Sequence, residues 1–211
     1  MNKLKNFKDK YVEDVNFIKD FLNNESNKNR DLTFVALKPG SVNLTAINVV
    51  LQSLNYNGYK VVFHAPAFYT NKNVQIHYKE IYDKYKSGEG CKFYPELEEY
   101  LTRDIVYGLV VEGPNAVKGV KALCGDTKEP AVNTMRYELF KCLGLPYDKN
   151  ENGIHASGEV NEARREIMNF FDATLNNINY LEKLNNNQNV QYVCDYINAF
   201  NELTEDNQQI N

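Results

Sequence analysis

Residues 33–40 read TFVALKPG, an apolar run of strand length closed by the breaker Pro39-Gly40. Immediately after it Leu44, Ile47, Leu51 and Leu54 recur at three- and four-residue spacing and trace one helical face. Gly58 then stands where a left-handed residue ends a helix. A strand that runs straight into an amphipathic helix opens a β-α unit, and the rest of the chain is read by asking how that unit continues. YKVVFHAPAFY (59–69) is a second strand. Asn71 caps a helix carrying Val74, Tyr78, Ile81, Tyr82 and Tyr85, and a shorter helix follows Pro95. DIVYGLVVEG (104–113) reads as a buried third strand. Pro114 opens a helix whose apolar face is Ala116, Val117, Val120 and Leu123 and whose stop is Gly125. After a polar loop and MRYELFKCLG (135–144), GIHAS (153–157) is a short last strand and VNEARREIMNFF (160–171) a helix. This order matches a βαββαβ ferredoxin-like sandwich of the α+β class, an antiparallel sheet with helices on one face.

Outside that unit, Val12, Val15, Ile18, Phe21 and Leu22 predict an N-terminal helix, followed by the polar linker NNESNKNRD (23–31). Tyr180, Leu181 and Leu184, then Val193, Tyr196, Ile197 and Phe200 beyond an Asn/Gln stretch, predict one or two C-terminal helices before a polar tail. The expected division is therefore an extension over 1–30, a core domain over 31–171 and a second extension over 172–211. The chain has 211 residues, 43% of them hydrophobic and 25% charged, which suits one buried core and excludes a repetitive or fully disordered protein. A net charge of -4 offers no global attraction to nucleic acid or anionic lipid, so a phosphate must be bound locally. No apolar run approaches a membrane span and the N-terminus lacks a signal-peptide block, so a cytoplasmic location with no membrane partner is expected. The four cysteines, Cys91, Cys124, Cys142 and Cys194, form no CxxC pair and are expected reduced.

Of three histidines, His64 in a strand and His77 in a helix read as structural. His155 differs, because Gly153 precedes it, small Ala156 and Ser157 follow it, and Glu166 lies on the next helix. A neutral imidazole is a competent nucleophile when one nitrogen is free and a partner holds the other.

TFVALKPGSV (33–42), HYKEIYDKY (77–85), KFYPEL (92–97), EGPNAVKGVKALCGDT (112–127), TMR (134–136) and NENGIHASGEVNEARREI (150–167) resemble, in order, the motifs of the nucleoside diphosphate kinase family. The resemblance covers Asp31 to Phe171. It implies a nucleoside diphosphate kinase that moves a γ-phosphoryl group from a nucleoside triphosphate to a nucleoside diphosphate, by a ping-pong cycle through a phosphohistidine at His155. It further implies that Lys38 contacts the sugar hydroxyl and the transferring phosphate, that Tyr78 flanks the histidine, and that Phe93 stacks on the base with support from Leu97. Lys121, Thr127 and Arg136 become phosphate ligands, Asn152 a ribose ligand, and Ser157 and Glu166 supports of the histidine. Arginine offers bidentate phosphate geometry and lysine a point charge, which is the inventory phosphoryl transfer needs. With no acidic cluster at metal spacing, Mg²⁺ is expected on the nucleotide phosphates rather than in a protein-built site.

The chain departs from the family pattern in KPGSV, in HASGE and in Lys121, where arginine is usual. The loop between Thr127 and Arg136 is shorter than usual, which leaves a homo-oligomer expected without fixing a hexamer. A nucleotide-binding scaffold of the same fold, with little turnover, is the alternative these departures motivate. An RNA-binding ferredoxin-like module fits less well, since the acidic balance and the lack of an aromatic RNP motif both oppose it.

Overall fold

The computed structural model describes residues 2–24, 31–144 and 151–184. Its elements run α1 (Asn2–Asn23), β1 (Asp31–Leu37), α2 (Leu44–Tyr56), β2 (Lys60–Ala67), α3 (Asn71–His77), α4 (Lys79–Lys86), α5 (Tyr94–Thr102), β3 (Val106–Gly113), α6 (Ala116–Cys124), α7 (Met135–Leu143), β4 (Ile154–Ala156) and α8 (Val160–Leu184). The four strands lie in the order β2-β3-β1-β4 with every neighbouring pair antiparallel. This is the ferredoxin-like arrangement expected from the sequence. Pro66 fits because β2 is an edge strand, where a missing N–H costs no ladder bond on the open side.

The two-residue alternation of β1 builds two cores. Val35 and Leu37 face one layer with Tyr107, Leu109 and Val111, covered by α2, α6 and α7. These include the crossover helices of the βαββαβ unit, and they share one face as expected. The other face is covered too: Phe34, Ala36, Phe63 and Val110 meet Tyr11 and Ile18 of α1, Val74 of α3, Leu97 and Tyr100 of α5, and Ile167, Phe170 and Phe171 of α8. Gly108 lets α8 come this close, since a Cβ there would stand 2.5 Å from the Phe170 ring.

Local chemistry explains where the elements differ from the sequence reading. Thr70, not Asn71, caps α3, and Asn73 closes a capping box with it. The helix expected from Asn71 through Tyr85 breaks at Tyr78, whose ψ of 41° separates α3 from α4. Arg165 on α8 holds the break by donating to the Ile76 carbonyl at 3.0 Å and to Glu80 at 2.8 Å. Pro114 lies ahead of α6, which begins at Ala116 after Asn115 in the left-handed region. MRYELFKCLG forms α7, capped by Thr134 and ended by Gly144 at φ 62°. On α1 the buried stripe is Tyr11, Val15 and Ile18, with Val12 turned out. The Tyr11 hydroxyl donates to the Phe171 carbonyl at 2.7 Å. The division expected after Phe171 falls inside α8, where Ala173 and Ile178 continue the buried face. The expected helix through Val193, Tyr196, Ile197 and Phe200 lies outside the described residues, as does most of the 23–31 linker.

Candidate active site

β4 pairs with β1 so that His155 stands opposite Ala36, with Ile154 and Ala156 turned to the other face. Gly153, at φ 74°, turns the chain into β4, and its carbonyl accepts from the Lys38 amide at 2.9 Å. His155 therefore projects between β1 and α8. Its Nε2 lies 3.0 Å from Glu166 Oε2, and the Ser157 hydroxyl donates to the same oxygen at 2.5 Å. Burial, then the charges of Lys121, Lys38 and Arg136, hold the His155 pKa well below its ordinary value. The imidazole is therefore neutral at pH 7. A neutral ring that donates Nε2–H to a carboxylate keeps its lone pair on Nδ1. Its side chain is 14% exposed, which leaves solvent-side access.

Three cations surround this ring. Arg136 on α7 is buried and donates from Nη1 to the Asn152 carbonyl at 2.5 Å and to Asn152 Oδ1 at 2.7 Å. Lys38, at the end of β1 and also buried, donates to the same Oδ1 at 3.0 Å. Lys121 on α6 donates to the Ala156 carbonyl at 2.7 Å, one residue beyond His155. These acceptors are neutral oxygens. Burial, with Arg136 next in size, lowers the Lys38 pKa to about 7. Two basic side chains, Lys38 and Arg136, buried against neutral acceptors suit a site that completes itself with a polyanion.

Of the residues singled out in the sequence, His155, Glu166 and Ser157 meet directly, and Lys38, Arg136 and Asn152 form a second hydrogen-bonded set beside them. Tyr78 packs its ring 5.5 Å from that of His155. Phe93 is half-buried at the start of α5, and Leu97 is core beneath it. Thr127 lies exposed in the loop after α6. His64, read as structural, has Nδ1 2.8 Å from the Tyr107 hydroxyl.

His77 is the residue the sequence reading missed. It ends α3, is 3% exposed, and lies with its ring 4.6 Å from that of His155. Its Nε2 stands 3.6 Å from Glu166 Oε1 and has no hydrogen-bond partner among the described residues. α3 is fixed there by α8: Asn73 and Asn169 exchange hydrogen bonds of 3.1 and 2.9 Å. The available signal was its place beside Tyr78 in the HYKE motif.

The family model for nucleoside diphosphate kinase matches residues 31–175. The chain belongs to the nucleoside diphosphate kinase family. It is an enzyme, a nucleotide-binding phosphotransferase of the kinase class. A nucleoside diphosphate kinase of Archaeoglobus fulgidus is 34% identical over 141 residues, covering 66% of this chain and 85% of that protein. One from Saccharolobus solfataricus is 30% identical over 142 residues, covering 66% and 94%. Among solved structures, a halophilic nucleoside diphosphate kinase from Halobacterium salinarum in complex with CDP has a TM-score of 0.56 and 29% identity, covering 67% of this chain and 88% of that one. The Aquifex aeolicus enzyme, at 23% identity and a TM-score of 0.56, shows the shared fold. Nucleoside diphosphate kinases use a divalent metal with the nucleotide. Among the described residues, the grouping of His, Cys, Asp or Glu at ligand distance is His77, His155 and Glu166, which is nitrogen-rich and ringed by cations. That does not suit a hard ion demanding an octahedron of oxygens. No helix of the described residues is long and apolar enough to cross a membrane.

Proposed function

We propose that the chain transfers the γ-phosphoryl group of a nucleoside triphosphate to a nucleoside diphosphate through a phosphohistidine at His155. The observation that carries this reading is the 3.0 Å contact of Nε2 with Glu166, which leaves Nδ1 as the lone-pair nitrogen inside a ring of three cations. In the first half-reaction Nδ1 attacks the γ-phosphorus, the bond to the bridging oxygen breaks, and the diphosphate leaves with the electron pair. Glu166 steadies the positive charge that the imidazole gains. In the second, a terminal oxygen of another nucleoside diphosphate attacks the phosphohistidine and the lone pair returns to Nδ1.

Lys38, Arg136 and Lys121 neutralise charge on the transferring group, with Thr127 a further phosphate ligand and Asn152 a ligand of the ribose. Tyr78 walls the histidine. Phe93, supported by Leu97, stacks on the base, and because every base has a π face the specificity is broad. Mg²⁺ enters as part of the nucleotide substrate. A homo-oligomer and a cytoplasmic location belong to the same reading, tested by light scattering and by fractionation.

The deciding experiment mixes the protein with γ-radiolabelled ATP and Mg²⁺ without an acceptor. The expected result is an acid-labile, alkali-stable phosphoprotein that GDP, CDP and UDP all discharge, and that His155→Ala abolishes. Nucleotide binding without label would sink the mechanism and leave a scaffold.

A further inference from the structure

His77 Nε2 is a buried polar atom with no hydrogen-bond partner among the described residues, aimed at the carboxylate that also holds His155. The ligand atoms of His77, His155 and Glu166 all lie within 4.8 Å of one another. His155 Nε2 lies 3.0 Å from Glu166 Oε2, and His77 Nε2 lies 3.6 Å from the other carboxylate oxygen, Oε1. Bonds of about 2.0–2.1 Å to a tetrahedral zinc place neighbouring ligand atoms about 3.3 Å apart, within a few tenths of an ångström of each imidazole-to-carboxylate separation. Two imidazoles and one carboxylate with an open fourth position form a ligand set that borderline transition metals prefer and that Mg²⁺ does not. An orienting partner is in place as well. The Tyr69 hydroxyl sits 3.2 Å from His77 Nδ1 and fixes which nitrogen faces the cluster.

We infer that His77, His155 and Glu166 form a site for a borderline divalent transition-metal ion, with zinc the first candidate, whose occupancy blocks phosphorylation of His155. The block, though not the binding, rests on the proposed role of His155 as nucleophile. A metal on Nε2 of the neutral ring takes that lone pair, and the proton formerly on Nε2 resides on Nδ1. The nitrogen that would attack phosphorus is then an N–H donor. No charge leaves the ring and no bond to phosphorus forms. Lys38, Lys121 and Arg136 oppose any cation here, which excludes a hard ion held by charge alone and favours one bound through two uncharged nitrogens.

The test uses the full chain without nucleotide. Co²⁺ is the spectroscopic probe and Zn²⁺ its competitor. The expected result is one equivalent bound, with the strong visible bands of tetrahedral cobalt, no thiolate-to-cobalt charge transfer, and full displacement by Zn²⁺. His77→Asn and Glu166→Gln should each weaken binding by about tenfold or more, with folding of both checked by circular dichroism. One equivalent of Zn²⁺ should suppress radiolabelling of the wild type from ATP and Mg²⁺, and a zinc chelator should restore it. Absence of the cobalt bands, bands with thiolate character, or binding that survives both substitutions overturns the site. Labelling at an unchanged rate with zinc bound overturns the block. If the metal-free protein never labels, the nucleophile reading and the block fall together, while the cobalt titration still decides the site.

Discussion

His155 owes its proposed reactivity to where one proton sits. Glu166 accepts from both His155 and Ser157 on Oε2, and replacing that carboxylate by an amide puts an N–H donor in competition for the same space. Glu166→Gln is expected to lower kcat by about 10²-fold with the KM for nucleotide nearly unchanged, as steady-state kinetics would read. A fall in KM affinity of the same size would instead make Glu166 a binding residue. Lys38 gives a second prediction at this scale. Its folded pKa of about 7 lies below the ordinary 10.5, so between those values the unfolded chain holds more protons and stability of the nucleotide-free protein rises with pH. Below about pH 7 the ammonium is charged in both states and the full burial cost is felt. A bound polyphosphate restores the charged form, so nucleotide binding at about pH 8 should take up a proton. Calorimetry in buffers of differing ionisation enthalpy measures that uptake, and Lys38→Met should remove it. His155, Lys38, Arg136 and Asn152 were legible in the sequence because each sits in a motif whose order is specific. His77 was not, because a helical histidine beside apolar neighbours is usually core, and only the antiparallel register of β4 brings it against His155.

Elements were legible where one period dominates. TFVALK, a continuous apolar run of strand length, becomes the buried strand β1, and Leu44, Ile47, Leu51 and Leu54 share a face and become α2. The break at Tyr78 was not legible, since the stripe Val74, Tyr78, Tyr82, Tyr85 satisfies a continuous helix. What breaks it is a tertiary contact, the Arg165 side chain on the Ile76 carbonyl. The covering of the second sheet face was hidden for a similar reason: it depends on α8 lying close enough to touch Gly108, which no local pattern states. That approach gives the prediction for this scale. A methyl at residue 108 would stand 2.5 Å from the Phe170 ring, so either the helix or the ring must move. Gly108→Ala should cost about 1–3 kcal/mol in a urea titration, as overpacked cores do. Adding Phe170→Leu should recover part of that loss in a double-mutant cycle, because the two changes share one space.

For the molecule as a whole, the question is what α1 contributes, since it precedes the 31–175 region that matches the family. Tyr11, Val15 and Ile18 are buried in the same core as Phe63 and Phe171, and Arg164 on α8 donates to the Leu22 carbonyl at 2.8 Å. The helix is therefore part of the folded core rather than an appended arm. Ile18 is 1% exposed, so truncating it removes apolar contacts and leaves a cavity between α1 and α8. Ile18→Ala should cost about 2–5 kcal/mol, seen as a lower urea midpoint with an unchanged slope. The rate of phosphohistidine formation at a temperature where the variant remains folded should stay within about twofold, because Ile18 is buried in the apolar core rather than among the groups around His155. If stability were unchanged, α1 would be peripheral to the fold. A selective loss of labelling in a folded variant would instead mean that α1, acting through α8, sets the position of Glu166.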